Sequence, residues 1–151
     1  TKTFLSDPNL HLFFDPEKGF ESPSNKTHKW DELPSWWHDK VYEARENTRV
    51  VFREALRRGV PFALGTDLNH GGLWLECKYF VQEIGATPMQ AIQAITQNGA
   101  LCCGIEDQAG TIAPGKRADL VCVRGNPLEN IQQLREVGFV MKSGVVAVQE
   151  M

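Results

Sequence analysis

Apolar residues recur at spacings of three and four from about Trp37 to Arg58. Val41, Ala44, Thr48, Val51, Phe52, Ala55 and Leu56 share one side, while Glu43, Glu46, Arg49, Arg53 and Arg57 face away. This spacing predicts a helix that ends at Gly59 in the position a C-terminal glycine takes. The run VPFALG follows, short and without polar alternation, as a strand buried on both faces reads. Helix, glycine, then strand is half of a βαβ unit. A further helix is predicted from about Gly72 to Ile84, stopping at Gly85. The next starts at Thr87-Pro88, an N-cap with proline at the first helical position. It is expected to turn Met89, Ile92, Ile95 and Thr96 inward and to end near Asn98-Gly99, with a short Ala100–Cys103 turn closed by Gly104.

The pattern then changes from β/α to β. AGTIAPGK (109–116) is rich in turn residues, ADLVCVRG reads as a strand, and NPLENIQQL as a short capped helical turn. VGFVMKSGVVAV reads as a hairpin closed by Ser143-Gly144. The lead has no such order. Residues 1–38 carry Pro8, Pro16, Pro23 and Pro34, and a stretch this long without structure is rare inside a compact domain. The expected organisation is therefore an irregular lid or linker over 1–38, β/α elements over 39–108, and a β-rich segment over 109–151. Trp36-Trp37 would cover a helix start or, with Phe20, wall an apolar pocket.

Composition narrows the function classes. The chain has 151 residues, 42% of them hydrophobic and 23% charged, which is a globular balance. A formal net charge of −3 gives no basic footprint for nucleic acid and no polybasic membrane patch. No apolar run reaches the roughly 18 residues of a membrane span, and no signal peptide is visible at the TKTFLSD start. A start without Met suggests missing upstream sequence. The cysteines Cys77, Cys102, Cys103 and Cys122 form no C-x-x-C pair, so a Cys/His zinc site is not expected. Cys102-Cys103 reads as two small buried thiols at a helix end, with a strained vicinal disulfide as the alternative. Reduced thiols point to a cytoplasmic location.

Candidate chemistry gathers in FALGTDLNHGG, residues 62–72. An acid just past the carboxyl end of a buried strand faces the active-site mouth of parallel α/β folds. Asp67 has that address, with Gly65 allowing close approach and Thr66 able to orient the carboxylate. It could ligate a divalent metal, take a proton from water, or do both. Equally, it could cap the loop or the next helix. His70, before Gly71-Gly72, would seat an anionic substrate group or shuttle a proton, or would simply be a surface loop histidine. Glu76 reads best as a carboxylate complementing the helix dipole.

Together these segments carry a likeness. GVPFALGTD, His70-Gly71, Glu76, GATPMQAIQAIT with Asn98 and Ala100, AGTIAPGKRADLVCVRGNPLENI and VMKSGVV occur in the order of the C-terminal part of the amidohydrolase superfamily. The resemblance covers about residues 45–148, and is nearest to imidazolonepropionase and the prolidase-like (Xaa-Pro dipeptidase) branch. It implies an α/β fold: the last elements of a TIM-like (β/α)8 barrel, incomplete in this chain, plus strands of a small β-sandwich. It implies that Asp67 ligates metal and acts as general base, with His70 and Gly71 beside the substrate. The cofactor implied is a divalent metal, zinc, as one or two ions in the full-length protein.

The resemblance has a gap. The family's HxH motif is absent, and His11, His28 and His38 precede the strand that leads to Asp67. One carboxylate falls short of the three or four ligands of a zinc site. The expectation is a C-terminal fragment of a metal-dependent amidohydrolase that hydrolyses an amide, cyclic amide or dipeptide C–N bond. Alone, the chain is expected to bind metal weakly and to show little hydrolysis. It would need the N-terminal portion of the barrel or a partner chain, and exposed strand edges could make it a homo-oligomer. The alternative is a non-catalytic scaffold that pairs with another polypeptide.

Overall fold

A computed structural model describes residues 34–66 and 72–150, apart from the side chains of Trp37, His38 and Val41. The expectation of an irregular lid or linker in the lead falls almost wholly outside the described residues, as does Phe20. Two compact units divide the chain at residues 1–51 and 52–151.

Helix α1 (Ser35–Arg57) begins two residues before the predicted start and ends as expected, with Gly59 at φ 73°. Ion pairs spaced three or four residues apart line it: Glu46 with Arg49, and Glu54 with both Arg57 and Arg58. Exposed pairs of this kind add only about 0.3–0.5 kcal/mol each. The predicted inward stripe is a correction. Ala44 and Thr48 are exposed and Val51 is 61% exposed; of the stripe's described side chains only Ala55 and Leu56, near the end of the helix, are partly buried.

Residues 60–66 are also a correction, because they form no strand. Strand structure needs a ladder, and the described strands form a separate sheet that does not include this segment. Its apolar side chains are nevertheless used: Phe62 stacks edge-on against Phe52 at 5.3 Å and tilts against Phe80 at 5.1 Å. Phe62 and Leu64 pack onto a core of Cys77, Phe80, Ala86, Ala91, Ala94 and Ile131.

Helix α2 (Leu73–Tyr79) buries Trp74, Leu75 and Cys77, and passes into a π-helical turn over Phe80–Ile84. Gly85 closes that turn at φ 91°, and the Arg53 guanidinium donates to the Glu83 carbonyl from Nε at 3.0 Å and Nη2 at 2.7 Å. Helix α3 (Pro88–Ile95) starts as predicted. The Thr87 hydroxyl accepts from Gln90 N–H at 3.2 Å, and Gln90 Oε1 accepts from Thr87 N–H at 2.8 Å, a reciprocal capping box. Its inward face is built from Ala91 and Ala94 rather than the larger residues expected. Met89 and Thr96 are exposed, while Ile92 and Ile95 are partly buried.

The helix breaks at Thr96, with φ −121° and ψ −87°, and resumes as α4 (Gln97–Cys102). The predicted stop at Asn98-Gly99 is thus a break two residues earlier. Gly110, at φ 88°, packs against this break; a Cβ there would lie 2.5 Å from Ala100 Cβ and 3.0 Å from the Thr96 carbonyl oxygen. Cys102 and Cys103 are free and exposed, which corrects the expectation of buried thiols. They close a six-residue helix whose buried position is Ala100.

The tail is an antiparallel meander in the order β1-β2-β3: β1 (Leu120–Val123), β2 (Val137–Lys142) and β3 (Val145–Gln149). Val121 pairs with Val140, and Val140 with Val148. Between β1 and β2, a 3-10 turn over Ile131–Arg135 is capped by Asn130 and plugs Ile131 into the helical core. The β2–β3 turn has Ser143 at φ 50° and Gly144 at φ 81°, the two positive values of a type I′ hairpin. Asp119 clasps that turn, accepting from Ser143 N–H at 2.7 Å and Lys142 Nζ at 2.6 Å. These contacts, Lys142 first, hold its carboxyl below the usual range.

Candidate active site

Hydrogen bonds to the region of the α3–α4 break hold the segment leading to Asp67. Leu64 N–H donates to the Ala94 carbonyl at 3.2 Å, and Asn98 Nδ2 donates to the Phe62 carbonyl at 2.8 Å. Residues 60–66 therefore rest on the α3–α4 break, and the described chain stops at Thr66, one residue before the acid. Asp67, His70 and Gly71 lie outside the described residues. The chain re-enters at Gly72, the N-cap of α2.

Glu76 lies in the first turn of α2 and is partly buried. Desolvation pushes its pKa up. Beside it, the Cys77 thiol is fully buried and pushed up to about 12, first by desolvation and then by the Glu76 charge. A thiol this protonated is no nucleophile at neutral pH.

Among the described residues, no three His, Cys, Asp or Glu side chains gather into a metal-binding group. The described donors do not fit a cation on their own. Any ligand set has to draw on residues beyond those described. Trp36 is 62% exposed. A cleft of about 780 Å3 lies between α3, α4 and the turn-rich 105–119 segment, with Ile92, Ile95, Ile105, Ile112 and Val121 among its walls.

Sequence reasoning named Asn98 as the end of a helix and as part of the family likeness, without its contact. Its contact with Phe62 spans 36 residues of sequence, so no local pattern reveals it. The available signal was an amide side chain in a region of small apolar residues, where a buried amide requires a partner. No described helix is long and apolar enough to cross a membrane.

Comparison with known proteins gives this geometry a context. The chain is 38% identical over 110 residues to ochratoxinase of Aspergillus niger, covering 70% of this chain and 23% of that enzyme. The solved structure of that ochratoxinase superposes with a TM-score of 0.70 at 31% identity, over 78% of this chain and 28% of the other. Imidazolonepropionase of Hahella chejuensis is 33% identical over 85 residues, covering 53% of this chain and 21% of that protein. A solved Xaa-Pro dipeptidase with methionine bound in its active site matches with a TM-score of 0.62 and 43% identity, covering 66% of this chain and 25% of its own. The chain spans about a quarter of the length of these relatives. The model of the amidohydrolase family matches residues 40–147. The chain belongs to the amidohydrolase family.

Proposed function

We propose that this chain forms the C-terminal part of an amidohydrolase that hydrolyses a C–N bond in an amide, cyclic amide or dipeptide. The observation that carries this reading is the family match over residues 40–147, which contains the held segment and the acid that follows it. On this reading residues 60–66 supply the eighth strand of a TIM-type (β/α)8 barrel. Their ladder partners then come from outside the described residues, which accounts for the strand-like composition without a strand. Residues 109–150 contribute strands to a small β-sandwich.

Asp67 is the proton carrier of the proposed site. Its carboxylate takes a proton from the hydrolytic water as oxygen attacks the carbonyl carbon. It then gives that proton to the departing nitrogen, which leaves as an amine. His70 and Gly71 seat the substrate. The family binds divalent metals, and a single carboxylate is a suitable oxygen donor for one, but it is one ligand of the three or four required. Zinc, as one or two ions, remains part of the proposal, and no step is derived through it. A non-catalytic scaffold is not favoured, because the relatives compared above carry enzyme names.

The test uses the full-length protein that carries this chain, assayed on Ala-Pro, N-acetylphenylalanine and imidazolonepropionate. Asp67→Asn is expected to lower turnover of the best of these by about 1,000-fold or more, as loss of a proton-transfer group does. Turnover within about threefold of wild type would remove Asp67 from the mechanism.

A further inference from the structure

We propose that Cys102 and Cys103 form a chelating dithiol that captures a monosubstituted trivalent arsenical, at a site independent of the hydrolysis proposed above. The two thiols are free and exposed, on neighbouring residues at the end of α4. Cys102 is the last residue of that helix, and Cys103 caps it at φ −87° and ψ −3°. Gly104, at φ 67°, then turns the chain away, so no further helical turn confines either sulfur. Cys103 also lines the cleft of about 780 Å3, together with Ile95 and Ile105. The adjacency of the two thiols is covalent, so it holds equally in a longer protein.

Geometry selects the ligand. The peptide link between the two residues is trans, which sets their Cα atoms about 3.8 Å apart. A disulfide spans about 4.4–6.8 Å between Cα atoms, so a direct S–S bond here is strained and easily reduced. One atom placed between the sulfurs relieves that strain, because it lengthens the bridge by a bond. Thiolates select soft acceptors. Zinc would need three or four ligands, and no three His, Cys, Asp or Glu side chains gather among the described residues. A monosubstituted arsenical carries its own third bond, to carbon, and asks the protein for two sulfurs. Its bonds diverge from one side of the arsenic, which suits neighbouring donors. The carbon substituent enters the cleft beside Cys103, where apolar walls favour an aryl ring.

The reaction needs no oxidant. Phenylarsine oxide exchanges its arsenic–oxygen bonds for two arsenic–sulfur bonds. The two thiol protons leave with the oxygen as water, and arsenic stays trivalent.

The experiment treats the folded full-length protein with phenylarsine oxide, then with N-ethylmaleimide, and digests it with trypsin. Cleavage after Lys78 and Lys116 releases residues 79–116, a peptide whose only cysteines are Cys102 and Cys103. Both are expected to be protected from maleimide together. Half-protection should require about 100-fold or more arsenical in Cys102→Ser or Cys103→Ser, because the second thiol no longer binds intramolecularly. Dithiothreitol should reverse the protection, and mercaptoethanol at equal thiol concentration should not. Methylarsine oxide should bind about tenfold more weakly than the phenyl reagent, each scaled to its affinity for dithiothreitol, for want of a ring to bury.

Maleimide labelling of both cysteines under saturating arsenical overturns the proposal, as does equal protection of the remaining thiol in the single variants. Failure of maleimide to label the pair without arsenical means that the longer protein buries it, and overturns the proposal as well. Reversal by mercaptoethanol as readily as by dithiothreitol excludes a chelate. Equal scaled affinities of the phenyl and methyl reagents overturn the part assigned to the cleft.

Discussion

Four thiols in one short chain differ sharply in what surrounds them. Cys77 is fully buried in the core, with its thiol pushed up to about 12, whereas Cys102, Cys103 and Cys122 are exposed. Native protein treated with a thiol-specific disulfide reagent at pH 8 should react at three cysteines, and at the fourth only after denaturant is added. Four reactive thiols in folded protein would mean that the α2 core opens readily. The same contrast shows what sequence could and could not tell. Cys102-Cys103 was legible as a helix end because Gly104 follows it. Its exposure was not, because burial depends on what packs against Ala100 from elsewhere in the chain. Asp67 and His70 were singled out by composition and order alone, and their placement stays a proposal.

At the scale of elements, features set by neighbouring residues were readable. The Thr87-Pro88 helix start and the Ser143-Gly144 hairpin depend on local hydrogen bonds and positive φ values, so a few residues suffice to specify them. Features set by distant partners were not readable. VPFALG has a strand's composition but needs a ladder, and the α3–α4 break is fixed by contacts from residues 62–64 on one hand and Gly110 on the other. Gly110 offers a direct test. Gly110→Ala would place a methyl 2.5 Å from Ala100 Cβ at φ 88°. It should lower unfolding stability by about 2–4 kcal/mol, combining backbone strain with overpacking. Gly115→Ala carries a comparable φ of 85° with nothing within 4 Å, so it should cost only the strain, about 1–2 kcal/mol. Equal losses in urea titrations of the two variants would show that close packing at the break contributes nothing.

For the whole molecule, the distribution of apolar surface is the main result. Side chains of β3 are exposed along its length, with Val145 at 70%, and Val121 of β1 is 62% exposed. Sheet edges and apolar faces of this kind are association surfaces unless covered. Prepared alone, the chain is expected to self-associate with rising concentration in sedimentation velocity, and Val146→Lys should weaken that association. A monomer at every concentration would show that these faces tolerate water. The family likeness was legible in the tail because GTIAPGKRADLV joins turn, clasp and strand in one continuous run. The catalytic assembly was not, since one acid in 151 residues does not define a site.

The turn-rich segment owes its hold to Lys116, whose ammonium donates to the Glu106 and Ala109 carbonyls and to the Thr111 hydroxyl. None of these oxygens belongs to a carboxylate, so the tie has no acid partner to neutralise. The Asp119 clasp behaves differently. Its carboxyl is held below the usual range in the fold, so its contribution is present above the unfolded-state pKa and fades as pH falls through the lowered one. Acid therefore loosens the hairpin before it reaches the loop beside it. The two ends of GTIAPGKRADLV come apart in sequence, and a family signature that reads as one motif consists of two structural fastenings with different chemistry.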